Sequence, residues 1–380
     1  MKTHVKTILL FLLSCFISCK DKSLEKQNVQ ENVLNKTELK YASGFSIEKY
    51  KDYSLVHLKS PWPEANKEFV YALVEKGKTL PKHIKYDAKV EVPIEKIVVT
   101  STTHIPLLEA LEEEETLVGF PNTKYISSPV TRELIKEQKI AELGENESIN
   151  TELLLDLEPD AVIGFAVNGN NKTFRTIENA GIPVLYNAAW IEKNILGRAE
   201  WIKFFGCLFK KEELANKIFN KIETEYNLAK NIATSIENKP TVLAGSMFKD
   251  IWHVPYGNSW AAQFITDAGG DYLWANSKGS GSISLNIESV LDKAQQAEYW
   301  ITLGTETTKQ QLQDRNSHYK EFEAFQNGNT FIANATGETG GLLFYELGPN
   351  RPDLILKDLI AIFHPQLVPN HQLTFYNQLK

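Results

Sequence analysis

The sequence has no G-x-S-x-G elbow, no Walker A loop, no H-E-x-x-H and no paired C-x-x-C. The nucleophile, phosphate-cradling, zinc and redox chemistries that need those spacings are therefore missing, and nothing marks the chain as an enzyme. Basic residues are outnumbered: 41 Lys plus Arg stand against 48 Asp plus Glu, a net charge of −7, and no basic stripe runs along the chain to follow a nucleic-acid backbone. Nucleic acid is thus not an expected partner. Cysteine is scarce. Cys15 falls in an N-terminal leader and Cys19 is the expected lipid acceptor, which leaves Cys207 without an intramolecular partner and excludes a disulfide in the mature body. Within Phe204-Phe205-Gly206-Cys207-Leu208-Phe209 this thiol reads as a buried hydrophobe rather than a nucleophile. Arginine is sparse too, with only Arg132, Arg175, Arg198, Arg315 and Arg351. The apolar run at residues 8–17 is too short for a comfortable bilayer span.

What is present begins with that leader. Lys2 and Lys6 precede the apolar run, which ends in Ser14-Cys15-Phe16-Ile17-Ser18-Cys19 and passes at once to Lys20-Asp21-Lys22. The pattern resembles a bacterial lipoprotein signal: residues 1–18 are removed and Cys19 carries lipid that tethers the protein to a membrane. An ordinary secretory peptide with an incidental cysteine is the plain alternative. Residues 19–40 are polar, too poor in apolar surface to fold alone, and read as a flexible tether.

The remainder is organised around residues 212–236. Leu214, Ala215, Ile218, Phe219, Ile222, Tyr226, Ala229 and Ala233 recur at steps of three and four, the spacing of one helix face. Such a helix spans about 35 Å and would brace two domains. A length of 380 residues with 42% hydrophobic composition allows two ordinary cores. The expected first lobe, residues 41–189, opens with β-like runs read as a hairpin or edge addition. It continues with buried-strand runs at 96–101, 117–120, 161–165 and 183–186, separated by helical stretches. The connecting helical segment covers residues 190–238. The second lobe, residues 239–380, repeats the scheme: strands at 241–247, 299–303 and 330–334, a loop carrying Trp252 to Ser259, and helices at 260–268, 286–294, 309–325 and 352–363. Strands alternating with helices imply α/β lobes with mainly parallel sheets, whose carboxyl-end loops are the usual ligand sites. Asn150-Thr151-Glu152 and Asn286-Ile287-Glu288 begin equivalent helices in the two halves. A weaker match pairs His104-Ile105-Pro106 with His253-Val254-Pro255.

These features, with Ser101-Thr102-Thr103-His104, Glu158-Pro159-Asp160-Ala161-Val162-Ile163, Leu347-Gly348-Pro349-Asn350-Arg351-Pro352 and His364-Pro365, resemble the substrate-binding proteins of ABC importers. The class resembled is the helical-backbone one that carries iron–siderophore complexes, cobalamin or haem, and the likeness covers roughly residues 90–367. It implies two lobes joined by one long rigid α-helix, a cleft between them, little hinge motion and a monomer. It also implies delivery of a small-molecule metal chelate to a membrane permease with its ATPase. No cofactor and no resident metal are expected. The candidate cleft contacts are Thr102, His104 and Trp190 from the first lobe and Trp252, His253, Tyr256, Asn258, Phe344 and Tyr345 from the second; packing of the loops onto their own lobes is the alternative. Few arginines favour a neutral or weakly charged cargo, a ferric hydroxamate or a corrinoid, over a trianionic catecholate, although lysines would serve as well. Arg132 and Arg351 are candidates to reach the cleft, with surface pairing equally open. In the resembling family one glutamate on each lobe meets permease arginines, and Glu152 and Glu288 match by position; complementing a helix dipole is their plain reading. Two rivals stay open. His104 and His253 would serve haem, although a bare metal ion needs three or four ligands. Lys20-Asp21 after Cys19 weakly resembles a surface-export signal, which would pair the protein with an outer-membrane receptor.

Overall fold

The computed structural model describes residues 33–380 except 66, 280 and 337–340. The signal segment, Cys19 and most of the expected tether lie outside the described residues. The end of that tether differs from expectation. Asn35–Lys36 is a strand paired with Glu48 and Lys49, because a sheet edge there offers it backbone partners.

The bracing helix runs Glu212–Thr234, with Ala215, Phe219, Ile222, Tyr226, Ala229 and Ala233 buried at alternating steps of four and three. Burying Phe219 and Ile222 contributes about 2 kcal/mol each. The helix packs on Ile202–Leu208 of the connecting segment, on Tyr41 of the first lobe through Phe219 and Glu223, and on Pro352–Phe363 of the second. The Tyr226 hydroxyl donates to Asp267 Oδ2 at 2.7 Å and Lys230 Nζ lies 3.0 Å from the other oxygen, tying it to the helix Trp260–Asp267. Residues 33–380 form one compact unit.

Each lobe holds a five-stranded sheet. In the first, the order is Val184–Tyr186, Ala161–Gly164, Ile97–Val99, Leu117–Phe120, Ala141–Glu142, all parallel. Ile97, Val98 and Val99 are all buried, as are all four residues of Ala161–Gly164, the unbroken apolar pattern of strands covered on both faces. In the second lobe Asp271–Tyr272, Thr241–Ala244, Tyr299–Leu303 and Thr330–Ala333 are parallel, and Asn377–Gln378 closes the edge antiparallel.

Three local expectations are corrected. The run at 241–247 breaks at Gly245, whose φ is +87° and whose missing Cβ would stand 2.0 Å from the His253 carbonyl oxygen. Only glycine allows the chain to leave one sheet there and enter another as Ser246–Phe248. Trp252 to Pro255 are not loop but lie in the strand Ile251–Pro255, paired antiparallel on both sides. The helix over 309–325 is interrupted at Asn316, which is extended, and resumes only as short turns. The His-x-Pro match therefore joins a helix entry, at His104, to the middle of a strand, and is no structural repeat. The Asn-x-Glu match is one: Asn150 Oδ1 accepts the Leu153 N–H at 3.0 Å and Asn286 Oδ1 the Ser289 N–H at 2.9 Å, each capping its helix.

The opening strands form a sheet of their own, not an edge addition: Asn35–Lys36, Phe45–Lys49, Tyr53–Leu58, Phe69–Glu75 and Ala88–Val92 in spatial order. Two buried carboxylates hold its entry. Glu200 accepts the N–H groups of Lys40, Tyr41 and Ala42 at 3.0, 2.8 and 2.8 Å, and Lys203 Nζ at 2.8 Å. Glu192 accepts those of Ser43 and Gly44 and the Trp201 indole N–H. Charges whose burial would cost several kcal/mol are thereby satisfied.

Candidate functional site

In each lobe a cavity opens where the parallel strands end. That of the second lobe, about 440 Å³, is floored by Ala244-Gly245-Ser246 and by Ile301 to Leu303, the residues at the ends of two neighbouring strands. Its walls are His253 and Pro255, the helix face of Trp260, Phe264 and Ile265, and Phe248, Phe344, Tyr345 and Tyr376. Among the described residues no Asp, Glu, Lys or Arg lines it. Strand alternation decides which residues arrive: in Ile251–Pro255, Trp252 and Val254 turn into the core while His253 and Pro255 face the cavity. Ser259 caps the next helix through its hydroxyl, accepting the Ala262 N–H, and this sets Trp260 on the first turn.

The first lobe's cavity, about 360 Å³, sets an asparagine-rich rim with Glu147 and Lys172 against the apolar Phe165, Val167 and Phe174. Thr100 follows the strand Ile97–Val99 and Phe165 the strand Ala161–Gly164; Asn146, Asn168, Asn170 and Asn171 supply the rim. Among the described residues Thr100 Oγ1 is buried and has no partner; the same holds for Nδ2 of Asn187, which follows the strand Val184–Tyr186 on the far side of Ala161–Gly164 and does not line this cavity. Unpaired buried polar atoms at strand ends are unfavourable in the free protein and available to a ligand.

The lobes meet directly. The turn Thr102–His104 packs on Leu343–Glu346, and Asn350 Nδ2 donates to the Thr103 carbonyl at 2.8 Å. Glu346, 2% exposed, accepts the N–H groups of Ser127 at 2.6 Å and Ser128 at 2.8 Å. Burial pushes its carboxyl up to about 7, against those two hydrogen bonds, with Glu109 adding repulsion.

Of the expected contacts, His253, Phe344 and Tyr345 line the second-lobe cavity, and Thr102 stands at the seam, on the turn against Leu343–Glu346. Trp252 does not face the cleft. It is fully buried against Trp300, Tyr319 and Phe322, its indole N–H donating to Ala244. His104 is also enclosed, its ring 5.5 Å from Phe205 and its Nδ1 without a partner among the described residues; burial lowers its pKa to about 3, so it stays neutral. A haem ligated by one histidine from each lobe is therefore not built here. Tyr256 packs its ring over Gly279, and Asn258 accepts the Gly279 N–H, so both brace a loop. The exposed Trp190 lines neither cavity, but its carbonyl holds Arg198 at 2.7 Å. Arg351 is engaged by Asp353, and Arg132 donates to the Thr123 carbonyl. Trp260, Tyr376 and Arg198 were not singled out by sequence. The Ser-Trp helix start was the available signal for the first, and nothing local marks the other two. Glu152 and Glu288 are exposed in the first turns of their helices. Among the described residues no three His, Cys, Asp or Glu side chains gather to hold a metal ion.

The family profile described as periplasmic binding protein matches residues 97–335. An uncharacterised lipoprotein of Methanocaldococcus jannaschii is 25% identical over 297 residues, covering 76% of this chain and 69% of its own. Among solved structures, a periplasmic heme binding protein from Pseudomonas aeruginosa superposes with a TM-score of 0.57 at 18% identity, over 76% of this chain and 98% of that one. An ABC transporter substrate-binding protein from Listeria monocytogenes gives 0.52 at 18%, over 71% and 99%. The fold is that of binding proteins with a helical backbone, and the chain belongs to the periplasmic binding protein family: it is a solute-binding protein and not an enzyme.

Proposed function

We propose that this protein, anchored by lipid on Cys19, captures a ferric siderophore of low charge and delivers it to an ABC permease. Binding proteins of this kind hold small molecules and work with such permeases. The observation that carries the cargo is the second-lobe cavity: aromatic, without Asp, Glu, Lys or Arg among its described residues, and placed at strand ends. Aromatic rings bury much area with little loss of conformational freedom, which suits a large, partly apolar chelate, and the lack of charge disfavours a polyanion. Glu152 and Glu288, exposed at equivalent positions on the two lobes, supply the register for docking.

Haem is the second reading. His253 and Tyr345, both residue types that ligate haem iron, line the same cavity.

Trp260 provides the readout. Titration of residues 20–380 with ferrichrome, a neutral ferric hydroxamate, is expected to quench its fluorescence saturably at micromolar concentration or below. Haemin binding alone, with a shifted Soret band lost in His253→Ala or Tyr345→Phe, would replace the siderophore reading by haem. Binding of neither would remove both.

A further inference from the structure

Arg198 stands on the short helix Ile195–Glu200, ahead of the bracing helix. It lines a small cavity of about 50 Å³ that shares Trp260, Phe264, Phe344 and Tyr345 with the large one, so the two adjoin. Its guanidinium lies 5.2 Å from the centre of the Trp260 ring. Nη2 donates to the Trp190 carbonyl at 2.7 Å, and Nε is buried with no partner among the described residues. Among the described residues no carboxylate forms an ion pair with it, whereas Arg315 has Glu306 and Arg351 has Asp353. The acid that acts on it most, Glu192, is engaged by Ser43, Gly44 and Trp201. The side chain is only partly buried and its bond to Trp190 lies at the surface, so the guanidinium remains charged and keeps donors open that an anion from the cavity side can complete.

We propose that Arg198 is the anion-receiving end of the ligand site: the cargo carries a carboxylate that takes the open part of the guanidinium, while its apolar body lies on Trp260, Phe344 and Tyr345. This rests on the reading of the large cavity as the chelate site. It narrows the cargo from any weakly charged chelate to one with an acidic group at one end, and makes Trp260 both a platform for the body and a cation–π support for the arginine.

Haemin and haemin dimethyl ester share one ring system and differ in whether the propionates are charged, and ferrichrome supplies a neutral chelate. All three are titrated against the wild type, Arg198→Gln and Arg198→Lys in one detergent buffer. The expected result is haemin binding at least about tenfold tighter than its ester to the wild type, the scale of one charge-assisted hydrogen bond. That preference is lost in Arg198→Gln with ester affinity kept, and is partly retained in Arg198→Lys. Equal binding of acid and ester, or tight ferrichrome binding without haemin binding, would overturn the role of Arg198 while leaving chelate capture intact. Failure of all three probes would remove both. If Arg198→Gln does not fold, the wild-type contrast between acid and ester together with Arg198→Lys decides.

Discussion

At the strand ends of the first lobe stand Thr100, Asn168, Asn170 and Asn171; at those of the second stand Phe248, Trp260, Phe344 and Tyr345. The scaffolds beneath are alike: parallel strands, an Asn-capped helix feeding a core strand, and an exposed glutamate in that helix's first turn. The loops at strand ends are not needed to hold the sheet together, so they are free to differ, and here one set is rich in asparagine and mixed in character while the other is mainly aromatic. A ligand lying across both would present hydrogen-bonding groups to one side and an apolar body to the other. Most of its binding energy would come from the second lobe, because aromatic burial yields more than exchanging hydrogen bonds with water.

That comparison can be broken first where the lobes are most alike. Reversing both Glu152 and Glu288 to arginine is expected to bring chelate uptake by cells lacking the native copy down to background, with the purified protein's affinity unchanged within about twofold. Loss of affinity instead would assign these glutamates to the fold.

The aromatic side is tested by Phe344→Ala. Phe344 is 5% exposed and packs on Trp260, Tyr345, Phe375 and Tyr376, so its truncation is expected to lower stability by about 3–5 kcal/mol and to weaken ligand binding more than any change on the asparagine-rich side. Urea unfolding and fluorescence titration read the two effects.

Between the lobes, the Glu346 contact ties stability to pH. Its carboxyl titrates near 7 in the fold against an ordinary 4.5, so between those values the folded state holds a proton that the unfolded chain has lost. The contribution is full below about 4.5 and is lost as pH rises through 7. His104 acts oppositely: at about 3 against 6.5, its contribution is full above 6.5 and is lost as pH falls toward 3. Glu346→Gln is expected to remove a slope on the order of 3 kcal/mol between pH 4.5 and 7, leaving a protein whose stability rises with pH up to 6.5. An unchanged urea midpoint difference between pH 5 and pH 8 would dispose of the idea.

The smallest effect sharpens the asparagine-rich side. Thr100→Val removes a buried hydroxyl with no partner among the described residues and is expected to stabilise the free protein by up to about 1 kcal/mol while weakening ligand binding by a few fold.

The bracing helix and the strands 97–99, 117–120, 161–164, 184–186, 299–303 and 330–333 were legible because each is a run whose period or unbroken apolarity matches its burial. So were the two Asn caps. The candidate site was only half legible. Phe344 and Tyr345 lie beside the glycine-rich stretch and were found, but Trp252 and His253 are neighbours whose fates are opposite, and only the pairing of their strand decides which faces the cavity. Tyr376 and Arg198 reach their places through chain folding over long sequence distances, from the C-terminal tail and from the segment before the bracing helix. The break at Asn316 was hidden because the residues around it keep helical periodicity.

The bracing helix also sets a fixed length. A continuous rod of 23 residues, about 35 Å long and packed against both lobes, resists bending; if it stays straight on loading, the two exposed glutamates would keep one spacing whether the cavity is full or empty. A membrane partner that grips both would measure the same span on either form. Loaded and unloaded molecules would then compete for one seat, and the rate of uptake would depend on the fraction of carriers that are loaded as well as on the supply of cargo.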